Sequence, residues 1–201
     1  MRQSAQPSPQ VDYSPVRRAY DTLAGTYAER LPDTRAEAPL DLAMLDHFAT
    51  HVHATGAGSV LDAGCGAGRI TRYLADRGCT VEGLDLSPEM VAAARRDHAD
   101  LPFTVGSITD LPHPDGSFTG ILFWYSTIHT PPDQLHHVFT EAVRVLRPGG
   151  YLLIAFQSGH GTHDVAPAYR RFGHDVELER YLTTADDIAA QLRASGLTET
   201  C

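Results

Sequence analysis

The chain is short of positive charge. Lysine and arginine together number 16 against 25 aspartates and glutamates, a formal net charge of -9 over 201 residues. A surface of that balance repels phosphate backbones and anionic lipid, so neither nucleic acid nor membrane is an expected partner. Cysteine is scarce too. The three, Cys65, Cys79 and Cys201, are odd in number and lack metal-ligand spacing, which argues against a disulfide framework and for a reduced, cytoplasmic setting. No apolar run approaches the length of a bilayer span, and the first residues lack the basic-then-apolar layout of a secretory leader. The length suits one domain with a proper core.

What the chain does have is a strand, a glycine turn and a helix in close succession between Ser59 and Gly78. Val60 and Leu61 open a short apolar strand ending at Asp62. Gly64, Gly66 and Gly68 turn the chain, and Ile70, Tyr73 and Leu74 follow at helical spacing until Gly78. Glycines let backbone approach a ligand closely, and the helix start offers unpaired N–H groups. The spacing is Gly-x-Gly-x-Gly rather than the Gly-x-Gly-x-x-Gly of a dinucleotide loop, and Asp62 would repel a pyrophosphate. Such an acid suits a ligand with a cationic end. Asp85 closes the next strand, at about the distance where an acid grips a ribose hydroxyl pair.

The remaining pattern alternates. Residues 1–15 are rich in Ser, Gln and Pro and read as a disordered tail, leaving 16–201 as the domain: a helical lid over 16–55 and a core over 56–201. The lid opens with a helix broken at Gly25, followed by a helix over 40–53. Strands are expected at 80–84, 101–105, 118–125 and 151–156. Helices are expected to start after Ser87, at 134–146 (closed by Arg147-Pro148-Gly149-Gly150) and at 185–194. A loop fills 157–175. Strands alternating with helices require a doubly wound, mostly parallel, Rossmann-like sheet with helices on both faces. Ligands bind beyond the carboxyl ends of such strands, where Asp62, Asp85, Ser107 and Tyr125 all fall.

The Val60–Gly68 motif, Asp85, the run from Leu111 to Phe118 (Leu-Pro-His-Pro-Asp-Gly-Ser-Phe) and the run from Arg144 to Gly150 (Arg-Val-Leu-Arg-Pro-Gly-Gly) together resemble class I S-adenosylmethionine-dependent methyltransferases of the small-molecule type. The likeness covers about Tyr20 to Leu197. It implies S-adenosyl-L-methionine as cofactor and S-adenosyl-L-homocysteine as product. Gly64, Cys65 and Gly66 would form the cradle, with Asp62 toward the methionine ammonium and Asp85 on the ribose. Leu86 and Met90 would flank the adenine, and Ser107 or the backbone at Ile108 would meet its amine. Tyr20 and Tyr27 either approach the methionine carboxylate or simply pack their helix. Arg69 either reaches that carboxylate or is a solvated surface charge. Tyr125 is the aromatic near the sulfonium. His129 is the best-placed general base, unless it is a loop residue tied to backbone. The paired histidines at 136–137, 160/163 and 174 read as solvated, with no metal site; His136 and His137 should point to different faces.

Two departures carry expectations. Thr119 replaces an acid common in the family and should be structural. The family's last two strands, an antiparallel β6–β7 hairpin after the final helix, are missing, which would leave the fifth strand at an edge. The expectation is a truncated chain or a partner covering that edge. The sequence has neither the Asn-Pro-Pro-Tyr of many base and glutamine methylating enzymes nor a Pro-Cys nucleophile, which favours a small-molecule acceptor. Two alternatives stay open: binding the same cofactor without methyl transfer, and, disfavoured by loop spacing, nicotinamide-dependent oxidoreduction.

Overall fold

The computed structural model describes residues 11–56 and 58–200. The disordered tail expected at the N-terminus therefore lies mostly outside the described residues, as does Cys201. Five parallel strands form the central sheet: β1 (Ser59–Ala63), β2 (Thr80–Asp85), β3 (Phe103–Val105), β4 (Phe118–Trp124) and β5 (Leu146–Ala155), in the order β3-β2-β1-β4-β5. The strand order reverses beside β1, so a crevice opens at the carboxyl ends of β1 and β4.

Side-chain alternation explains why both faces are covered. Val60 and Leu122 face α2 (Pro39–Ala54) and α3 (Arg69–Ala75), packing with Leu45, Phe48, Val52, Ile70 and Leu74. Leu61, Ile121 and Phe123 face the other way, against Val138, Phe139 and Ala142 of α5 (Leu135–Val145) and Ile188 of α7 (Ala185–Ala194). Every residue of β4 is buried, as a central parallel strand requires. Arg144 donates to the Leu111 and His113 carbonyls, which ties α5 to the loop before β4. Thr119 is structural as expected: its hydroxyl donates to the Ser59 carbonyl at 2.8 Å and joins the starts of β1 and β4.

Several expectations need correction. The first helix, α1 (Ser14–Arg30), begins inside the stretch assigned to the tail and runs straight through Gly25. Burial of Ala19, Leu23, Ala24 and Ala28 outweighs the roughly 1 kcal/mol that a glycine costs a helix. Arg147–Gly150 does not merely stop α5; it belongs to β5, with a register shift opposite Phe118 and Gly120 absorbing the turn. β3 starts at Phe103, not 101. The segment expected as loop holds β6 (Gly161–Asp164) and α6 (Ala166–Arg170), and β6 pairs antiparallel with β7 (Glu179–Leu182). All four residues of β6 are exposed, so no apolar alternation marked it. An antiparallel hairpin is thus present, ahead of α7, but as a separate two-stranded sheet that leaves β5 at the edge of the main one. The rings of His136 and His137 lie 3.9 Å apart instead of facing different ways.

Candidate active site

The glycine turn takes left-handed backbone at Gly64, Gly66 and Gly68 (φ 85°, 54° and 85°), which side chains strongly disfavour. It also presses on its neighbours: a Cβ at Gly64 would lie 2.2 Å from the Ser126 Cβ. Asp85 joins this turn to the next one. Its two carboxylate oxygens accept from Gly66 N–H at 2.8 Å and Ser87 N–H at 2.9 Å, and each oxygen keeps a further lone pair. Burial raises its pKa. Asp62 is 1 % exposed, and burial pushes its carboxyl up to about 6. One oxygen accepts from the Thr71 hydroxyl at 2.6 Å; the other, Oδ1, has no partner. A buried carboxylate oxygen left bare beside a cavity is a place prepared for a donor from outside.

The N-terminal helical segment packs over this cradle. Ser87 caps α4 (Pro88–Asp97) by accepting from Met90 N–H and donates its own proton to Asp21 of α1 at 2.6 Å. Glu37, beyond α1, pairs with Arg69 and accepts from the Trp124 indole. Arg69 is therefore an enclosed, paired cation, and its reading as a solvated surface charge is overturned. Tyr125 holds φ 57°, the one left-handed residue besides glycine among the described residues, with its N–H donated to the Ala155 carbonyl. Strain of that kind concentrates where side chains must be aimed.

His129 joins the lid to the hairpin. Its Nδ1 sits at the Glu179 carbonyl, which can only accept, so Nδ1 carries the proton and Nε2 accepts from the Tyr20 hydroxyl at 2.8 Å. Burial lowers the His129 pKa and raises that of Tyr20, so both are neutral near pH 7. The lone pair that a general base would use is already engaged. Nearby, the Tyr181 N–H donates to the Ile128 carbonyl at 2.8 Å, so β7 is laced along the loop after β4.

One cavity of about 400 Å³ lies between these elements. Every candidate cofactor-binding or catalytic residue named from the sequence lines it: Tyr20, Tyr27, Asp62, Gly64, Cys65, Gly66, Arg69, Asp85, Leu86, Met90, Ser107, Ile108, Tyr125 and His129. Trp124, Ser126, Gln157, Tyr169 and Arg180 line it as well; the sequence marks the loops 13–39 and 157–181 as shaping a substrate pocket, but none of these five residues individually. Their positions follow from the hairpin and from the ends of β4 and β5, and only the unusual run of aromatics and histidines around them hinted at a wall.

A family profile described as a methyltransferase domain matches residues 60–150. Malonyl-[acyl-carrier protein] O-methyltransferase of Enterobacter lignolyticus is 32% identical over 175 residues, 87% of this chain and 66% of that protein. This chain belongs to the class I S-adenosylmethionine-dependent methyltransferases. Another relative, demethylmenaquinone methyltransferase of Tropheryma whipplei, is 36% identical over 120 residues, 59% of the chain and 49% of that protein. The chain thus spans about half to two thirds of the length of these curated relatives. Among solved structures, 1,6-didemethyltoxoflavin-N1-methyltransferase of Burkholderia thailandensis, bound to 1,6-didemethyltoxoflavin and S-adenosylhomocysteine, is similar with a TM-score of 0.64. It is 23% identical and covers 96% of this chain and 83% of that one, which shows the shared fold. No helix among the described residues is long and apolar enough to cross a membrane.

Proposed function

We propose that this chain transfers a methyl group from S-adenosylmethionine to a small-molecule acceptor. The observation that carries the reading is the unpartnered Asp62 Oδ1 beside a glycine turn bridged by Asp85. The donor set fits the cofactor's two ends. Asp62 offers its bare oxygen to the ammonium, and Asp85 offers its remaining lone pairs to the ribose hydroxyls. Leu86 and Met90 supply an apolar slot for the adenine, with Ser107 and the backbone at Ile108 at its polar edge. Tyr20, Tyr27, Trp124 and Tyr125 line the remainder of the cavity, and aromatic side chains favour a cation near them.

When bound, the cofactor supplies an electrophilic methyl on a positively charged sulfur. Charge is dispersed as the methyl leaves, so the chain's own residues contribute alignment and the exclusion of water. α1 does both: Asp21 fastens it to α4 through Ser87, and Tyr20 reaches His129. His129 acts through Tyr20, holding its hydroxyl, rather than as a freely presented base. The relatives named above take different acceptors, in keeping with a cradle shared by all and an acceptor wall that varies. The acidic balance of the chain further supports a small molecule over nucleic acid. Incubating the protein with methyl-labelled cofactor and a mixed small-molecule extract tests this. Label in an organic product together with equimolar S-adenosylhomocysteine is the expected result; tight cofactor binding with no label transferred to any component of the extract would favour the cofactor-binding alternative.

A further inference from the structure

The hairpin side of the cavity holds one ionised group. Among the lining residues the charged side chains are Asp62, Asp85, Arg69 and Arg180. The two acids belong to the glycine cradle, and Arg69 is neutralised by Glu37. Arg180 has no carboxylate within ion-pair distance among the described residues, and its Nε is enclosed with no hydrogen-bond partner. An enclosed guanidinium nitrogen without a partner is costly, so its position needs a reason.

The fold fixes that position. On one side of Arg180, the Glu179 carbonyl accepts from His129; on the other, the Tyr181 N–H donates to Ile128. These two bonds lay β7 along the post-β4 loop and leave the Arg180 side chain lining the cavity. Its charge bears on both His129 and Tyr169. The Gln157 Oε1 and Ser126 Oγ atoms are likewise enclosed and unbonded. The same cavity is lined by the apolar Val16, Ile128, Val165 and Ala168, with the hydroxyl-bearing Tyr13, Thr130 and Tyr169 among them. An unpaired cation in a cavity that also offers apolar side chains suits an anionic head on an apolar body.

The same wall lacks a free base. The His129 lone pair is taken by Tyr20, and a cation beside it opposes any proton it would collect. An acceptor that must lose a proton would find no group to take it. A carboxylate has already lost it.

We infer that the methyl acceptor is a carboxylic acid with an apolar body, held as its carboxylate by Arg180 and converted to a methyl ester. This rests on the methyltransferase reading. Nε and one terminal nitrogen of Arg180 take the two carboxylate oxygens side-on, and each oxygen keeps lone pairs. One oxygen forms the new O–C bond as the S–C bond of S-adenosylmethionine breaks, its electron pair staying on sulfur. An anion and a sulfonium become a neutral ester and a neutral thioether, and no proton moves.

The test is equilibrium binding to the full chain saturated with S-adenosylhomocysteine. The probes are hexanoate, octanoate and 4-phenylbutyrate, each against its primary amide. At least one acid should bind about tenfold more tightly than its amide, the free-energy scale of one charge-assisted pair. Arg180→Gln should abolish that preference and Arg180→Lys should retain part of it, while S-adenosylhomocysteine affinity stays the same in all three proteins. Acids binding no better than amides throughout would overturn the inference, as would a preference that survives in Arg180→Gln. A loss of S-adenosylhomocysteine affinity in Arg180→Gln would also overturn it, by assigning Arg180 to the cofactor's own carboxylate. If the unaltered chain fails to bind S-adenosylhomocysteine at all, the methyltransferase reading falls first, and this inference with it.

Discussion

One wall of the cavity is made of residues that lie close together in sequence, the other of residues far apart. The cradle from Asp62 to Asp85 is two strand ends and the turn between them, and Asp85 ties Gly66 to Ser87 across it. The opposite wall is drawn from α1, the loop after β4 and the hairpin, and its bonds span Tyr20 to His129 and Ile128 to Tyr181. The first wall is set by local backbone geometry that the parallel sheet enforces. The second depends on three separate segments docking, so it can change without disturbing the sheet. Such a division lets one wall be rebuilt while the other keeps its geometry.

The contrast is broken most severely at Asp85. Asp85→Ala removes the acceptor of two backbone N–H groups and should weaken S-adenosylhomocysteine binding on the order of a hundredfold, about 2.7 kcal/mol, by calorimetry. A loss under about threefold would mean that the turns hold their shape without it. On the opposite wall, Tyr20→Phe and His129→Ala should each lower turnover about tenfold while leaving S-adenosylhomocysteine affinity unchanged, the separation expected when only positioning is lost. Equal losses in both quantities would erase the distinction between the walls.

Asp62 sharpens the comparison through pH. Its carboxyl titrates near 6 in the folded chain against an ordinary 3.8, so it is protonated below that range and charged above it. A cationic ligand binds the charged form. Cofactor affinity should therefore rise as pH increases through about 6 and then level off, and Asp62→Asn should flatten that rise. The sign for stability is opposite: a folded pKa above the unfolded one means that stability is lost as pH rises from 3.8 through about 6. Asp62→Asn should thus melt higher than the parent at neutral pH without ligand, by at most about 3 kcal/mol in stability. Thermal melts across that range check the direction.

Legibility in the sequence followed the same division. Glycine spacing, strand-end acids and the Ser87–Pro88 helix start are local signals, and the cradle built from them lies where the alternating pattern put it. Gly25 misled because helix propensity is weak beside the burial of Leu23 and Ala24 against neighbours the sequence does not display. The β6 strand carried no alternation because none of it is buried, so 157–181 read only as a pocket-shaping loop, with Arg180 not singled out in it. His129 was recognisable as a polar residue in the loop after the fourth strand. That its lone pair is occupied by Tyr20 is a fact of docking, not of sequence.

The smallest expected effect lies at the seam between the two walls. Asp21→Ala leaves the buried Ser87 hydroxyl without its acceptor, which should lower stability by about 1 kcal/mol and loosen α1. Hydrogen exchange should show faster opening across Ser14–Arg30 than across β1 or β4. Unchanged exchange in α1 would mean that the apolar contacts of Ala24 and Ala28 hold the lid unaided.

The most direct measurement is a calorimetric titration of the unaltered chain with S-adenosylhomocysteine and, separately, with NAD. One equivalent of S-adenosylhomocysteine should bind at least about a hundredfold more tightly than NAD, because a bare carboxylate at the glycine turn favours an ammonium and repels a pyrophosphate. Equal or tighter binding of NAD, or no heat with S-adenosylhomocysteine, would contradict the account.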